Sequence, residues 1–214
     1  MQRLKEEFLN LLESHVPLRD SDVLEIGSGS GARSVSIAGR CKKLTALEPD
    51  PRLLSKAQAQ NSKSNIDYHL GSAEALPFGD RMFHTTIFTL SLHHVPVEMM
   101  ATAIREAVRV TKKDGHVVFL EPKHEGSFFQ AEMLFDACDG DERKEKARAY
   151  FEILNFDDYQ ELAEVDDETI FKFESVEDFI SVFSPKQNMG QLATFLEKNK
   201  YMLQARRRIN IFKV

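Results

Sequence analysis

Between residues 22 and 122, short apolar runs alternate with stretches of helical spacing, and this rhythm leaves few folds open to the chain. Val23-Leu24-Glu25-Ile26 reads as a first strand, Leu44-Thr45-Ala46-Leu47 as a second and 66–70 as a third. A fourth covers 85–90 and Val117-Val118-Phe119-Leu120 is a fifth, while helices are predicted over 32–39, 52–60 and 98–110. The fourth run has the near-continuous apolar character of a strand buried on both faces. Strands and helices in alternation, joined by short loops, build βαβ units around a parallel, doubly wound sheet. Its crossovers are right-handed, and a ligand belongs beyond the carboxyl ends of the strands, near the switch point.

The flanks read differently. Leu4, Phe8, Leu11 and Leu12 stand at helical spacing, so 1–20 is expected to hold an N-terminal helix stopped by Pro17. Beyond 122 the segment 128–155 is helix-prone, with a charged middle from Asp139 to Lys146 that reads as a solvated helix face. Extended stretches are expected at 159–165 and 168–173, short helices at 176–183 and 190–199, and a closing strand at 207–214. The expectation is one α/β domain over 1–214. Its sheet would be seven-stranded and mostly parallel, with the last strand antiparallel and a helical lid inserted at 123–158.

Composition narrows the partners. The formal net charge is −6 and the pI about 5.7, so no broad basic field exists to hold nucleic acid. Two isolated cysteines, Cys41 and Cys138, make neither a disulfide framework nor a zinc cluster. The charged start Met1-Gln2-Arg3-Leu4-Lys5 lacks an apolar signal core, and no window approaches the apolar length of a membrane span. A cytoplasmic protein is expected.

The first strand runs into Gly27-Ser28-Gly29-Ser30-Gly31. Glycines let backbone approach a ligand closely, and the helix start that follows offers unpaired N–H groups. Read alone the loop is ambiguous. Gly27, Gly29 and Gly31 fit GxGxG, while Gly27, Gly29 and Ala32 fit the dinucleotide fingerprint. Glu48 ends the second strand at the distance where an acid can accept from both ribose hydroxyls, which suits a nicotinamide dinucleotide or an adenosyl cofactor.

Three further segments resemble the class I S-adenosylmethionine-dependent methyltransferases, most closely the type 11 group that includes the ubiquinone and menaquinone C-methyltransferases. They are Leu47-Glu48-Pro49-Asp50-Pro51, Gly71-Ser72-Ala73-Glu74-Ala75-Leu76-Pro77-Phe78, and Leu92-His93-His94-Val95 followed by Glu106, Arg109-Val110 and Lys113-Asp114-Gly115. The resemblance covers roughly 22–122. It implies S-adenosyl-L-methionine as cofactor and a small-molecule methyl acceptor. Gly27, Ser28, Gly29 and Gly31 would face the methionine portion, with Glu25 anchoring that end. Glu48 would bind the ribose, Pro49 would lie against the adenine, and Ser72 and Ala73 would flank the adenine amino edge. Thr89 and Leu90 would lie beside the sulfonium. The chain departs from the family in having Ser72 and His84 where Asp is common, which removes charge assistance from the adenine contact at Ser72.

Methyl transfer needs chiefly alignment and a dry pocket, so no catalytic dyad is demanded. His93, His94, Glu121 and His124 are candidate bases, each also readable as a structural group. His93-His94 lacks a Cys or Asp partner at ligand spacing, so no metal site is expected. Phe128 and Phe129 would either pack a helix or line an acceptor pocket, and Arg206-Arg207-Arg208 reads as solvated. Two rival functions share the glycine loop: a nicotinamide-dependent oxidoreductase, which leaves the Gly71–Phe78 segment unexplained, and a cofactor-binding protein without catalysis.

Overall fold

The computed structural model describes residues 1–61 and 63–214. The strands are β1 (Gln2–Glu6), β2 (Asp22–Ile26), β3 (Lys43–Glu48), β4 (Ile66–Leu70), β5 (Phe83–Thr89), β6 (Thr111–Pro122), β7 (Gln160–Lys172) and β8 (Met202–Lys213). The helices are α1 (Phe8–Glu13), α2 (Ser34–Ala38), α3 (Pro51–Gln60), α4 (Met100–Val110), α5 (Gly126–Phe135), α6 (Arg143–Leu154), α7 (Val176–Phe183) and α8 (Met189–Lys198). The strands join in one sheet of order β1-β7-β8-β6-β5-β2-β3-β4.

From β2 the chain steps outward to β3 and β4, then crosses back to place β5 on the other side of β2. These four and β6 are parallel, which satisfies the expectation of a doubly wound sheet. The switch point lies between β2 and β5. Val23, Leu24, Ile26, Ile87, Phe88 and Val117–Leu120 are buried, because helices cover both faces of the central strands.

β8 runs antiparallel to both β6 and β7, and β7 antiparallel to β1. The sheet therefore has eight strands rather than seven. The extra one comes from the segment expected to be all helix. Phe8 and Leu12 do pack from α1, but Leu4 is exposed, and Gln2–Glu6 instead pairs along the edge of β7. Its charged side chains suit an edge strand.

The two extended stretches near 165 form the single strand β7, because Asp167 is neutralised by Arg207 on β8 and does not interrupt the ladder. The helix-prone run 128–155 is likewise divided, into α5 and α6. Between them Asp136, Cys138 and Gly140 all adopt positive φ. A separate aromatic core, containing Phe135, Phe173, Phe179, Phe183, Leu192 and Leu196, ties α5, α7 and α8 together beside β8. α7 and α8, the short helices expected beyond 175, thus join α5 in one packed unit beside the sheet. No described helix is long and apolar enough to cross a membrane.

Candidate functional site

A cavity of about 650 Å³ opens at the switch point, lined wholly by residues from 26–96. Gly27, Ser28 and Gly29 form one wall, Glu48 and Pro49 with Leu53 a second, Ser72 and Ala73 a third, and Thr89 and Leu90 the floor. The glycine loop follows β2 directly, and Gly27 N–H and Ser28 N–H both donate to the Leu47 carbonyl, at 2.9 and 3.0 Å, which fixes the loop over the end of β3. Glu48 is buried, and its two oxygens accept from Gly29 N–H at 2.7 Å and Asp50 N–H at 3.0 Å. A carboxylate has about four acceptor positions, so lone pairs remain for donors entering the cavity. The buried Ser28 hydroxyl has no hydrogen-bond partner among the described residues. A buried hydroxyl on a cavity wall with no partner fits a polar ligand group.

Two residues expected at the cofactor do not reach the cavity. Glu25 is fully buried under the loop, accepting from Ser34 Oγ at 2.5 Å and Thr89 Oγ1 at 2.9 Å. Burial raises its carboxyl above the ordinary range, while the two hydroxyl donors oppose the rise. It braces the loop and β5 from beneath. Gly31 points away: a Cβ there would stand 2.9 Å from Tyr68 Oη and 3.0 Å from Ala57 Cβ, so it lets the start of α2 close on α3 and β4.

The 71–80 loop is held from behind. Glu106 accepts from Leu76 N–H at 3.0 Å, and Arg109 donates to the Phe78 and Leu76 carbonyls at 2.8 and 3.2 Å and to Asp80 at 2.8 Å. The Glu106 and Arg109 noted in the sequence are therefore a clamp that sets Ser72 and Ala73 against the cavity, outside any direct contact with a ligand.

A second cavity of about 200 Å³ lies beside the first, and the two share Arg33, Leu90 and His94. Leu90 has φ +58, unusual for a side-chain-bearing residue and placed where the cavities meet. Phe128 and Phe129 line this second cavity, as does Phe171. Phe128 also packs edge-on against Phe183, so it serves the aromatic core as well. Arg33 had no signal in the sequence. It bonds Glu6 at 3.1 Å, and burial brings its guanidinium down to about 10. The charge remains at neutral pH, on the wall between the cavities.

The candidate bases separate. His93 is buried in the 3₁₀ turn after β5, with Nδ1 2.5 Å from Glu121 Oε2, while Glu121 Oε1 accepts from Leu92 N–H at 3.0 Å. His94 is half exposed, with Nδ1 3.2 Å from Glu142 Oε1. That hydrogen bond raises the His94 imidazole. His124 stacks on Phe129 at 5.4 Å and lines neither cavity.

Two surface readings are corrected. In the charged run, Glu142 and Lys146 face inward on the second cavity, with Lys146 Nζ 3.3 Å from Glu142 Oε2. Burial acts to raise Glu142, but the His94 hydrogen bond and the His93, His94 and Lys146 charges prevail and bring it to about 2. Arg207 of the arginine triplet is buried against Asp167 and 3.2 Å from Glu6, while Arg208 lies over the Tyr150 ring at 3.6 Å. His93-His94 has no Cys or Asp partner at ligand spacing in the sequence, but the fold brings Glu142, at the start of α6, beside both imidazoles.

Comparison with known proteins agrees with this geometry. Residues 24–119 match the model of a methyltransferase domain. A ubiquinone/menaquinone biosynthesis C-methyltransferase of Rickettsia bellii is 30% identical over 132 residues, covering 56% of this chain and 51% of that protein. The chain thus spans about half the length of such curated relatives. Among solved structures, a candidate methyltransferase from Bacillus halodurans aligns over 96% of this chain and 97% of its own, with TM-score 0.68 and 21% identity. The N-methyltransferase NodS of Bradyrhizobium japonicum, solved with S-adenosyl-L-homocysteine, aligns over 97% of this chain and 83% of its own, with TM-score 0.57 and 18% identity. These two establish the likeness of fold.

Proposed function

We propose that the chain, whose residues 24–119 match a methyltransferase domain, moves the methyl group of S-adenosyl-L-methionine onto a small-molecule acceptor seated in the second cavity. The observation that carries this reading is the pair of cavities meeting at Leu90 and His94. One has the loop, acid and apolar wall of a nucleoside site; the other is aromatic on one side and charged on the other. S-adenosyl-L-methionine supplies an already activated methyl, and the chain supplies alignment and exclusion of water.

In this reading Glu48 accepts from the ribose hydroxyls with its remaining lone pairs, and Ser28 and Gly29 meet the methionine portion. Pro49 and Leu53 bracket the adenine, whose edge lies toward Ser72 and Ala73. Thr89 and Leu90 set the floor at the passage to the acceptor. His93, oriented by Glu121, has its Nδ1 committed to the carboxylate and its Nε2 turned to the second cavity, and methyl transfer from a sulfonium demands no base of it. Cys41 and Cys138 are both free thiols, which suits a reducing compartment such as the cytoplasm.

Thermal melting tests the cofactor. S-adenosyl-L-homocysteine at a hundred times its dissociation constant should stabilise the fold by about 2.7 kcal/mol, and Glu48→Ala should abolish the shift. A shift with NADH and none with the sulfonium or its product would overturn the reading in favour of a nicotinamide enzyme. Formation of S-adenosyl-L-homocysteine across a panel of phenols, enols and amines separates an enzyme from a binding protein.

A further inference from the structure

His93, His94 and Glu142 each offer one ligand atom, and the three atoms lie within 4.8 Å of one another. We propose that they form a binding site for a divalent transition-metal ion on the wall of the second cavity.

Glu142 Oε1 is 3.2 Å from His94 Nδ1, and Glu142 Oε2 is 4.0 Å from His93 Nε2. Ligand atoms on a tetrahedral zinc stand about 3.4 Å apart, given metal–ligand bonds of about 2.0–2.1 Å. Small side-chain rotations bring the trio to that spacing. His93 is the strongest member. Its Nδ1 is bound to the buried Glu121 carboxylate, and its Nε2 has no hydrogen-bond partner among the described residues. A carboxylate on the far nitrogen fixes both the tautomer and the ring orientation that a metal-ligating imidazole needs.

The donor set decides the kind of ligand more than the charge of the cavity does. Glu121, Glu132, Asp139 and Glu142 stand beside the site, with Lys146 set between Glu132 and Glu142, while Arg33, Lys123, Arg206 and Arg207 line the rest of the cavity. The ammonium lies 3.3 Å from Glu142 Oε2, the oxygen nearer His93, while Oε1 faces His94. Two imidazoles and one carboxylate are borderline donors suited to Zn²⁺, Co²⁺, Ni²⁺ or Fe²⁺, and poorly suited to Mg²⁺ or Ca²⁺, which take oxygen ligands. All three donors line the cavity, so a fourth position opens on whatever the cavity holds. Three protein ligands with one open position is the pattern of a metal that meets a substrate rather than one that only staples the fold. That last role rests on the methyltransferase reading; the ion site itself does not.

The test is calorimetric titration of the chelator-stripped protein with Zn²⁺, without cofactor, and visible absorption of the Co²⁺ form. One equivalent should bind, and Co²⁺ should show the intense d–d bands of four-coordinate nitrogen and oxygen ligation. His94→Gln and Glu142→Gln should each weaken binding at least tenfold, and Glu121→Gln about 10–100-fold. His15→Gln, an exposed histidine in the turn after α1, should change nothing. Circular dichroism and the melting shift given by S-adenosyl-L-homocysteine show whether each variant is folded. Binding that survives the His94→Gln/Glu142→Gln double variant, or that falls equally in His15→Gln, overturns the site. Loss of the cofactor shift with zinc binding intact would instead overturn the methyltransferase reading alone.

Discussion

Gly27 and Gly29 stand two residues apart in the same loop and serve different ends. Both have positive φ, +77 and +56. A Cβ on Gly27 would fall 2.2 Å from Ser91 Cβ, whereas one on Gly29 meets nothing within 4 Å. Gly27→Ala should therefore cost about 2–4 kcal/mol from overpacking and left-handed strain together. Gly29→Ala should cost only the strain, about 1–2 kcal/mol, yet weaken S-adenosyl-L-homocysteine because its methyl enters the cavity. Urea denaturation paired with calorimetry separates the two; equal stability losses would contradict the geometry. Glu25 gives a pH-dependent counterpart. Burial raises its folded-state pKa above the ordinary 4.5. The unfolded chain then releases this proton at lower pH than the folded one, so this group's contribution to stability falls as pH rises from 4.5 through the folded value. Glu25→Gln keeps the shape and removes that fall. Its stability relative to the parent should grow with pH above 4.5 and vanish well below it, as read from denaturation midpoints at several pH values. None of this is legible in Gly27-Ser28-Gly29 as letters. The pattern announces a close backbone approach, but which glycine meets the ligand and which meets Ser91 depends on where β5 ends.

At the level of elements, the antiparallel side of the sheet is pinned by ions. Arg207 on β8 contacts Asp167 on β7 and Glu6 at the end of β1, and Glu6 also holds Arg33 just before α2. The Arg207 and Asp167 side chains are 3% and 0% exposed. Removing one partner of such a pair leaves the other buried and uncompensated. Arg207→Ala should cost about 3–5 kcal/mol, and the double change Arg207→Met/Asp167→Leu much less than the sum of the single changes. A double-mutant cycle by urea denaturation measures this, and additivity would refute the pairing. The parallel strands were legible because buried strands are apolar throughout and stop at glycine, proline or charge. β1 and the middle of β7 were not, because their polar residues are neutralised by partners far along the chain.

Across the whole molecule, the two cavities depend on different cores. Residues 26–96 alone line the first. The second needs the α5–α6 turn, β7 and β8, and these rest on the aromatic cluster around Phe173, Phe179 and Phe183. Phe179→Ala should cost about 3–5 kcal/mol, concentrated in the α5, α7 and α8 part. Affinity for S-adenosyl-L-homocysteine should stay within a few-fold while turnover is lost. A parallel loss of both would show that the two cavities share one cooperative support.

The amino-acid sequence by itself determined the parallel sheet, the glycine loop and the acidic strand end at Glu48, because each is written in local pattern: apolar run, tight turn, charge at a fixed distance. Only the tertiary structure decided that Glu25 and Gly31 stay behind the cavity wall, that Arg33 stands between the two cavities, and that Glu142 joins His93 and His94. Those choices depend on side chains from distant segments meeting in space. A charged residue reads as solvated until a partner far along the chain makes its burial affordable.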